Sequence, residues 1–113
     1  LYDRSMLSDD SIGKMVKDNL ETIILALLQK KTMCGTEIIG TIHLEFNVLL
    51  SPGTIYPLLH SLKQRGLVES KEHGKAKTYA VAEDAKPKIR SLVDEQIQAR
   101  KLLNHYLQQE ITI

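Results

Sequence analysis

The chain has 113 residues, a formal net charge of +1, 42% apolar residues and 26% charged ones. This length fits one hydrophobic core rather than two, and the composition is that of a folded globular domain rather than a disordered one. No apolar run approaches the ~18 residues that span a bilayer, and a lone cysteine, Cys34, excludes an internal disulfide and a zinc cluster, which points to a reducing, cytoplasmic setting.

Residues 1–14 are polar, without a sustained period and without the basic-then-apolar order of a secretory leader, so the sequence predicts a flexible N-terminal arm. From Met15 to Lys31, the residues Leu20, Ile23, Ile24, Leu27 and Leu28 recur as one face of an amphipathic helix. Asp18 and Glu21 lie early and Lys30 and Lys31 late, as the helix dipole prefers. Thr32–Gly35 breaks the pattern. A short second helix then carries Ile38, Ile39, Ile42 and Phe46, with Thr36 as its expected N-cap. Ser51-Pro52 opens a third helix, Ser as cap and Pro at the first helical position, with Ile55, Leu58, Leu59 and Leu62 buried and Gly66 as the stop. Pro57 cannot donate to the carbonyl of Gly53, so a local kink is expected there, whereas a cap at Thr54 instead would leave Pro57 in the first turn at little cost. Leu67–Lys71 and Lys77–Ala82 read as two strands of a hairpin whose loop contains Gly74. Asp84 to Glu110 is a long helix of roughly 40 Å, with Ile89, Leu92, Val93, Ile97, Leu102, Leu103, Tyr106 and Leu107 along one side. A core of this size cannot cover that length, so the far end is expected on a second copy of the chain.

The expected class is mainly α with a two-stranded β wing: a winged helix-turn-helix over residues 15–83, followed by a dimerisation helix over 84–113. In such a domain the third helix enters the major groove of double-stranded DNA and the wing lies along the backbone or an adjacent minor groove. Stepping about 100° per residue from Ile55, the residues Gly53, Pro57, His60 and Gln64 fall roughly opposite the buried stripe, flanked by Tyr56, Ser61 and Lys63. Ser51, Pro52, Gly53 and Thr54 surround the helix N-terminus, whose free N–H groups suit a phosphate. Thr54, Tyr56 and Ser61 supply hydroxyls, while His60 and Gln64 can reach base edges. Between His60 and Thr78 there are five Lys or Arg residues, including Lys71, Lys75 and Lys77, and two acids, a local net of +3. Wing lysines at these positions suit point-charge contacts to phosphates.

The run Ser51-Pro52-Gly53-Thr54-Ile55-Tyr56-Pro57-Leu58-Leu59, followed by Leu62 and Gly66-Leu67-Val68, resembles the signature of the PadR-type winged-helix transcriptional regulators. Cys34-Gly35-Thr36-Glu37-Ile38 is similar to that family's opening of helix two, and Lys77-Thr78-Tyr79-Ala80-Val81 to its second wing strand. The resemblance implies DNA binding by a homodimer, with Thr36 and Tyr79 added to the contact set. It implies a dimer held by the last helix with help from the first, through Leu20, Ile24, Leu92, Ile97, Leu103, Tyr106 and Leu107. It further implies repression relieved by a small-molecule effector. The absence of Trp removes a residue that some members use to hold flat aromatic drugs, so the sequence does not support an effector pocket.

Other chemistries find little footing. His43, His73 and His105 are not at ligand spacings, so neither metal nor cofactor is expected. Asp94 and Glu95 point in different directions on a helix and make no catalytic pair, and no phosphate loop or Ser-His-Asp order marks an enzyme. The long helix lacks the strongly basic face of a membrane-surface helix. The near-neutral global charge keeps one alternative open, a winged helix that binds a protein instead of DNA.

Overall fold

A computed structural model describes residues 4–111. A 3-10 turn at Arg4–Met6 precedes α1 (Asp9–Asp18) and α2 (Leu20–Lys30). The strand β1 (Met33–Cys34) leads into α3 (Gly35–Phe46) and α4 (Pro52–Gln64). The strands β2 (Val68–His73) and β3 (Ala76–Val81) follow, then a 3-10 turn at Glu83–Ala85 and α5 (Lys86–Ile111). The molecule measures 59 × 29 × 22 Å, the long axis reflecting 26 residues of α5.

The core is aliphatic. Val16, Ile24, Ile38, Ile42, Ile55, Leu59, Leu62, Val68 and Ile89 are fully enclosed, drawn from all five helices and β2. No polar or charged side chain is buried among the described residues, so apolar burial holds the helices together.

The flexible-arm reading of residues 1–14 is corrected from Ser8 onward. Ser8 takes extended backbone and its Oγ accepts from the Ser11 N–H at 3.1 Å, while Asp9 and Asp10 occupy the positive end of the helix dipole. Ile12 and Val16, one turn apart, are buried in the core. Residues 1–3 lie outside the described part. The single helix predicted from Met15 to Lys31 is instead two, broken at Asn19, whose φ of −121° is not helical. Asn19 Nδ2 donates to the Met15 carbonyl at 2.7 Å and its N–H to the Val16 carbonyl, closing α1.

The sheet has three strands, not two, in the order β1-β3-β2, all antiparallel. Met33 pairs with Tyr79 and Cys34 with Thr78, so the segment read as a break is the strand that ties the wing to the helical layer. The hairpin register runs from Val68 opposite Val81 to His73 opposite Ala76, and its turn is only Gly74-Lys75. Cys34, rather than Thr36, caps α3. Its N–H donates to the Glu37 carboxylate at 3.0 Å and its side chain accepts from the Glu37 N–H, a reciprocal capping box. That bond holds the Glu37 carboxyl below its ordinary pKa.

The helix α4 begins at Pro52, as expected, and runs through Pro57 to Gln64. Gly66, at φ +75°, then supplies the left-handed residue that ends it. The helix α5 starts at Lys86 after the short turn, with Pro87 in its first turn, where a missing N–H costs nothing. It rests on α2 and buries Ile89.

Candidate nucleic-acid interface

The helices α3 and α4 form the helix-turn-helix, and their relative position follows from which residues α4 buries. Ile55, Leu59 and Leu62 are fully enclosed and Leu58 is half-buried. The opposite side is open to solvent: Gly53, Pro57, His60 and Gln64 are all exposed, as are Ser51, Pro52 and Thr54 at the helix start. The hydroxyls of Ser51 and Thr54 lie 3.1 Å apart. Ser61 is half-buried, on the shoulder of this face.

Tyr56 is 41% exposed, and its ring lies against Gly35 at the start of α3. A Cβ at position 35 would stand 2.7 Å from Tyr56 Cε1, so the glycine is what lets the ring seat there. Thr36 is exposed beside it, its Oγ1 3.1 Å from Cys34 Sγ. Tyr79 lies differently from the expectation. It is buried in the core, facing Met33 across the sheet, with only 7% of its surface exposed. Burial first, and then the neighbouring Tyr56, raises the pKa of its phenol above the ordinary value.

The wing extends beyond α4, with Lys71, Lys75 and Lys77 exposed. Lys77 Nζ lies 3.9 Å from a Glu72 carboxylate oxygen, leaving Lys71 and Lys75 as the wing lysines without a carboxylate partner among the described ion pairs. Lys63 Nζ donates to Ser70 Oγ at 2.6 Å and so links α4 to β2. Arg65, counted by the sequence in the basic cluster, is instead neutralised by Glu21 on α2. Neither the Arg65–Glu21 pair nor the seat at Gly35 was visible in the sequence, because each joins segments distant along the chain.

The expected dimer residues divide into two groups. Leu20 and Ile24 are 5% and 0% exposed, buried in the chain's own core, so they are corrected as contacts to a second copy. Leu92, Ile97, Leu103, Tyr106 and Leu107 are all exposed along α5. Between α2 and α5 lies an open apolar groove of about 340 Å³, whose lining includes Ala26, Lys30, Arg90, Val93 and Ile97. No group of three metal-ligating side chains occurs among the described residues, and no helix there is long and apolar enough to cross a membrane.

The profile of the "Transcriptional regulator PadR-like family" matches residues 24–91, from the middle of α2 to the first turns of α5. The chain belongs to the PadR-like family. The family is described as one of transcriptional regulators, the coarse role the sequence reading expected. Among curated proteins, the PadR-like chain is 29% identical over 99 residues to "Transcriptional activator GvpE" of Haloferax mediterranei. That match covers 73% of this chain and 52% of the relative, so the chain spans about half the relative's length. Among solved structures, a PadR-like transcription factor from Bacteroides fragilis is 26% identical with a TM-score of 0.67, covering 82% of this chain and 94% of the other. A PadR-like transcriptional regulator from Bacillus cereus shares the fold at 22% identity and a TM-score of 0.71, covering 84% and 97% of the two chains. The winged-helix class expected from the order of elements holds, with β1 as an additional strand.

Proposed function

We propose that this PadR-like chain acts as a homodimer on a pseudo-palindromic DNA operator and represses transcription by occupying it. The observation that carries this reading is the outward face of α4: Gly53, Pro57, His60 and Gln64 are exposed, while Ile55, Leu59 and Leu62 opposite are fully buried. A helix so held presents small residues at its N-terminal end and hydrogen-bonding ones further on. In the major groove the small residues let the helix approach closely, and His60 and Gln64 read base edges. Thr36, Ser51, Thr54 and Tyr56 hold phosphates at the helix starts, and Lys71 and Lys75 do so from the wing.

The apolar side of α5, exposed from Leu92 to Leu107, supports a second copy as its cover. Two copies place their α4 helices about 34 Å apart, one turn of B-DNA. The Haloferax mediterranei relative is named an activator, so the sign of regulation is the finer point to be tested. A promoter–reporter assay gives the sign.

The test is binding to fragments selected from the source genome. His60→Ala or Gln64→Ala should each cost about 1–3 kcal/mol on the selected site and little on random DNA. Replacing Lys71 and Lys75 with Ala should weaken binding to every sequence and lower the salt slope by about 0.9 per lost phosphate contact. The near-neutral net charge favours a second reading, a protein-binding winged helix. That reading gains if no DNA is retained even at low salt.

A further inference from the structure

Arg65 closes α4, and its guanidinium forms a two-pronged hydrogen bond with the Glu21 carboxylate in the first turn of α2. Nη1 donates to Oε2 at 3.1 Å and Nη2 to Oε1. The two side chains come from positions 44 residues apart and are 45% and 41% exposed. Core packing therefore does not force the pair together. The same end of α4 is tied to the wing through Lys63 and Ser70. The helix α2, which carries Glu21, is also the one on which α5 rests.

The apolar contacts of Ile55, Leu59 and Leu62 are non-directional and resist a small rotation of α4 about its own axis only weakly. A planar guanidinium on a carboxylate is directional and fixes an angle. Counting about 100° per residue from Ile55, Gln64 falls near 180° and Arg65 near 280°, so Arg65 stands well to the side of the outward face. We propose that Glu21 and Arg65 are positioning residues for operator reading: the fork sets the rotation of α4 relative to the body that bears α5, so that His60 and Gln64 meet their bases in both half-sites together. The inference rests on the DNA-binding reading above.

Glu21→Gln separates the two explanations of Arg65 by sign. It removes the negative charge and one acceptor of the fork, and so leaves a full positive charge at the end of α4. If the pair positions the helix, binding to the selected operator weakens about fivefold, the equivalent of ~1 kcal/mol for a well-formed exposed pair. Binding to random DNA and the salt slope then stay as they were. If Arg65 is instead a phosphate contact restrained by Glu21, the same change tightens binding to all DNA and steepens the slope by about 0.9. That result overturns the inference, as does an unchanged operator affinity. The double variant Glu21→Arg with Arg65→Glu keeps the net charge and the fork, and should return operator affinity to within about twofold of wild type. Failure of the exchange to restore what Arg65→Glu alone loses also overturns it. Thermal melts of each variant confirm that the fold persists. A wild-type chain that binds no DNA overturns the DNA-binding reading itself. A wild type that binds while Glu21→Gln is silent or tighter overturns only this inference.

Discussion

Gly35→Ala should destabilise the protein, although alanine is the better helix former. Gly35 is buried at the first position of α3, and its backbone is not in the left-handed region, so the backbone itself accepts a side chain. In isolation the exchange favours the helix by up to about 0.5–1 kcal/mol. The obstacle is Tyr56: the new methyl would stand 2.7 Å from Cε1 of its ring, and nearer still to the phenol end. Either α3 and α4 separate or the ring swings into solvent. Overpacking of this kind costs about 1–3 kcal/mol, which outweighs the helix gain. Urea denaturation should therefore show a net loss of up to about 2.5 kcal/mol with an unchanged slope. The decisive arm is the same exchange in a Tyr56→Ala background. With the ring gone, Gly35→Ala should be neutral or stabilising, so the effect changes sign. An equal loss in both backgrounds would refute the account, because the cost would then lie in the backbone and not in the ring.

Three further outcomes follow from the fold. Ile12→Ala should cost about 2–5 kcal/mol as a core truncation, where a residue on a free arm would stay within about 0.5 kcal/mol, and urea midpoints decide. The hydrogen-bonded Arg65 holds the Glu21 carboxyl below its ordinary pKa, so the pair's contribution is present near pH 7 and fades as pH falls below about 4.3 toward the lowered value. Both groups are well exposed, so the effect is at most about 1 kcal/mol, and Glu21→Gln should remove that part of the acid dependence of the urea midpoint. Leu103→Glu, on the exposed side of α5, should yield a folded monomer in sedimentation with helical content retained, and a persistent dimer would reject α5 as the seam.

The sequence displayed some elements more openly than others, and the difference is physical. The helix α4 was legible because its cap, its proline and its apolar period lie within one short stretch and agree. Its outward face followed by angle alone, and Gly53, Pro57, His60 and Gln64 are indeed exposed. The helix α1 was not legible, since it buries only Ile12 and Val16 and so shows a single apolar step rather than a period. Met33-Cys34 is too short to show alternation and is a strand only because β3 lies beside it. Tyr79 follows Lys77 on an exposed wing and looked available for contact. Its burial depends on β1 and on the helices beneath, which are tertiary facts. Leu20 and Ile24 failed for the same reason: an apolar side chain does not reveal whether its own chain or a second one covers it.

The helix α5 leaves the core after Val93 and continues without interruption to Ile111, so nothing along it absorbs a change of phase. One residue inserted between Ile89 and Leu103 would turn the distal stripe by about 100° and push it out by about 1.5 Å. A joint at a flexible linker would forgive that change. In the dimer proposed above the shaft transmits it in full, so the pitch between the two α4 helices is set by the residue count of a single rod, and an operator of altered spacing would call for a change in that count rather than in α4.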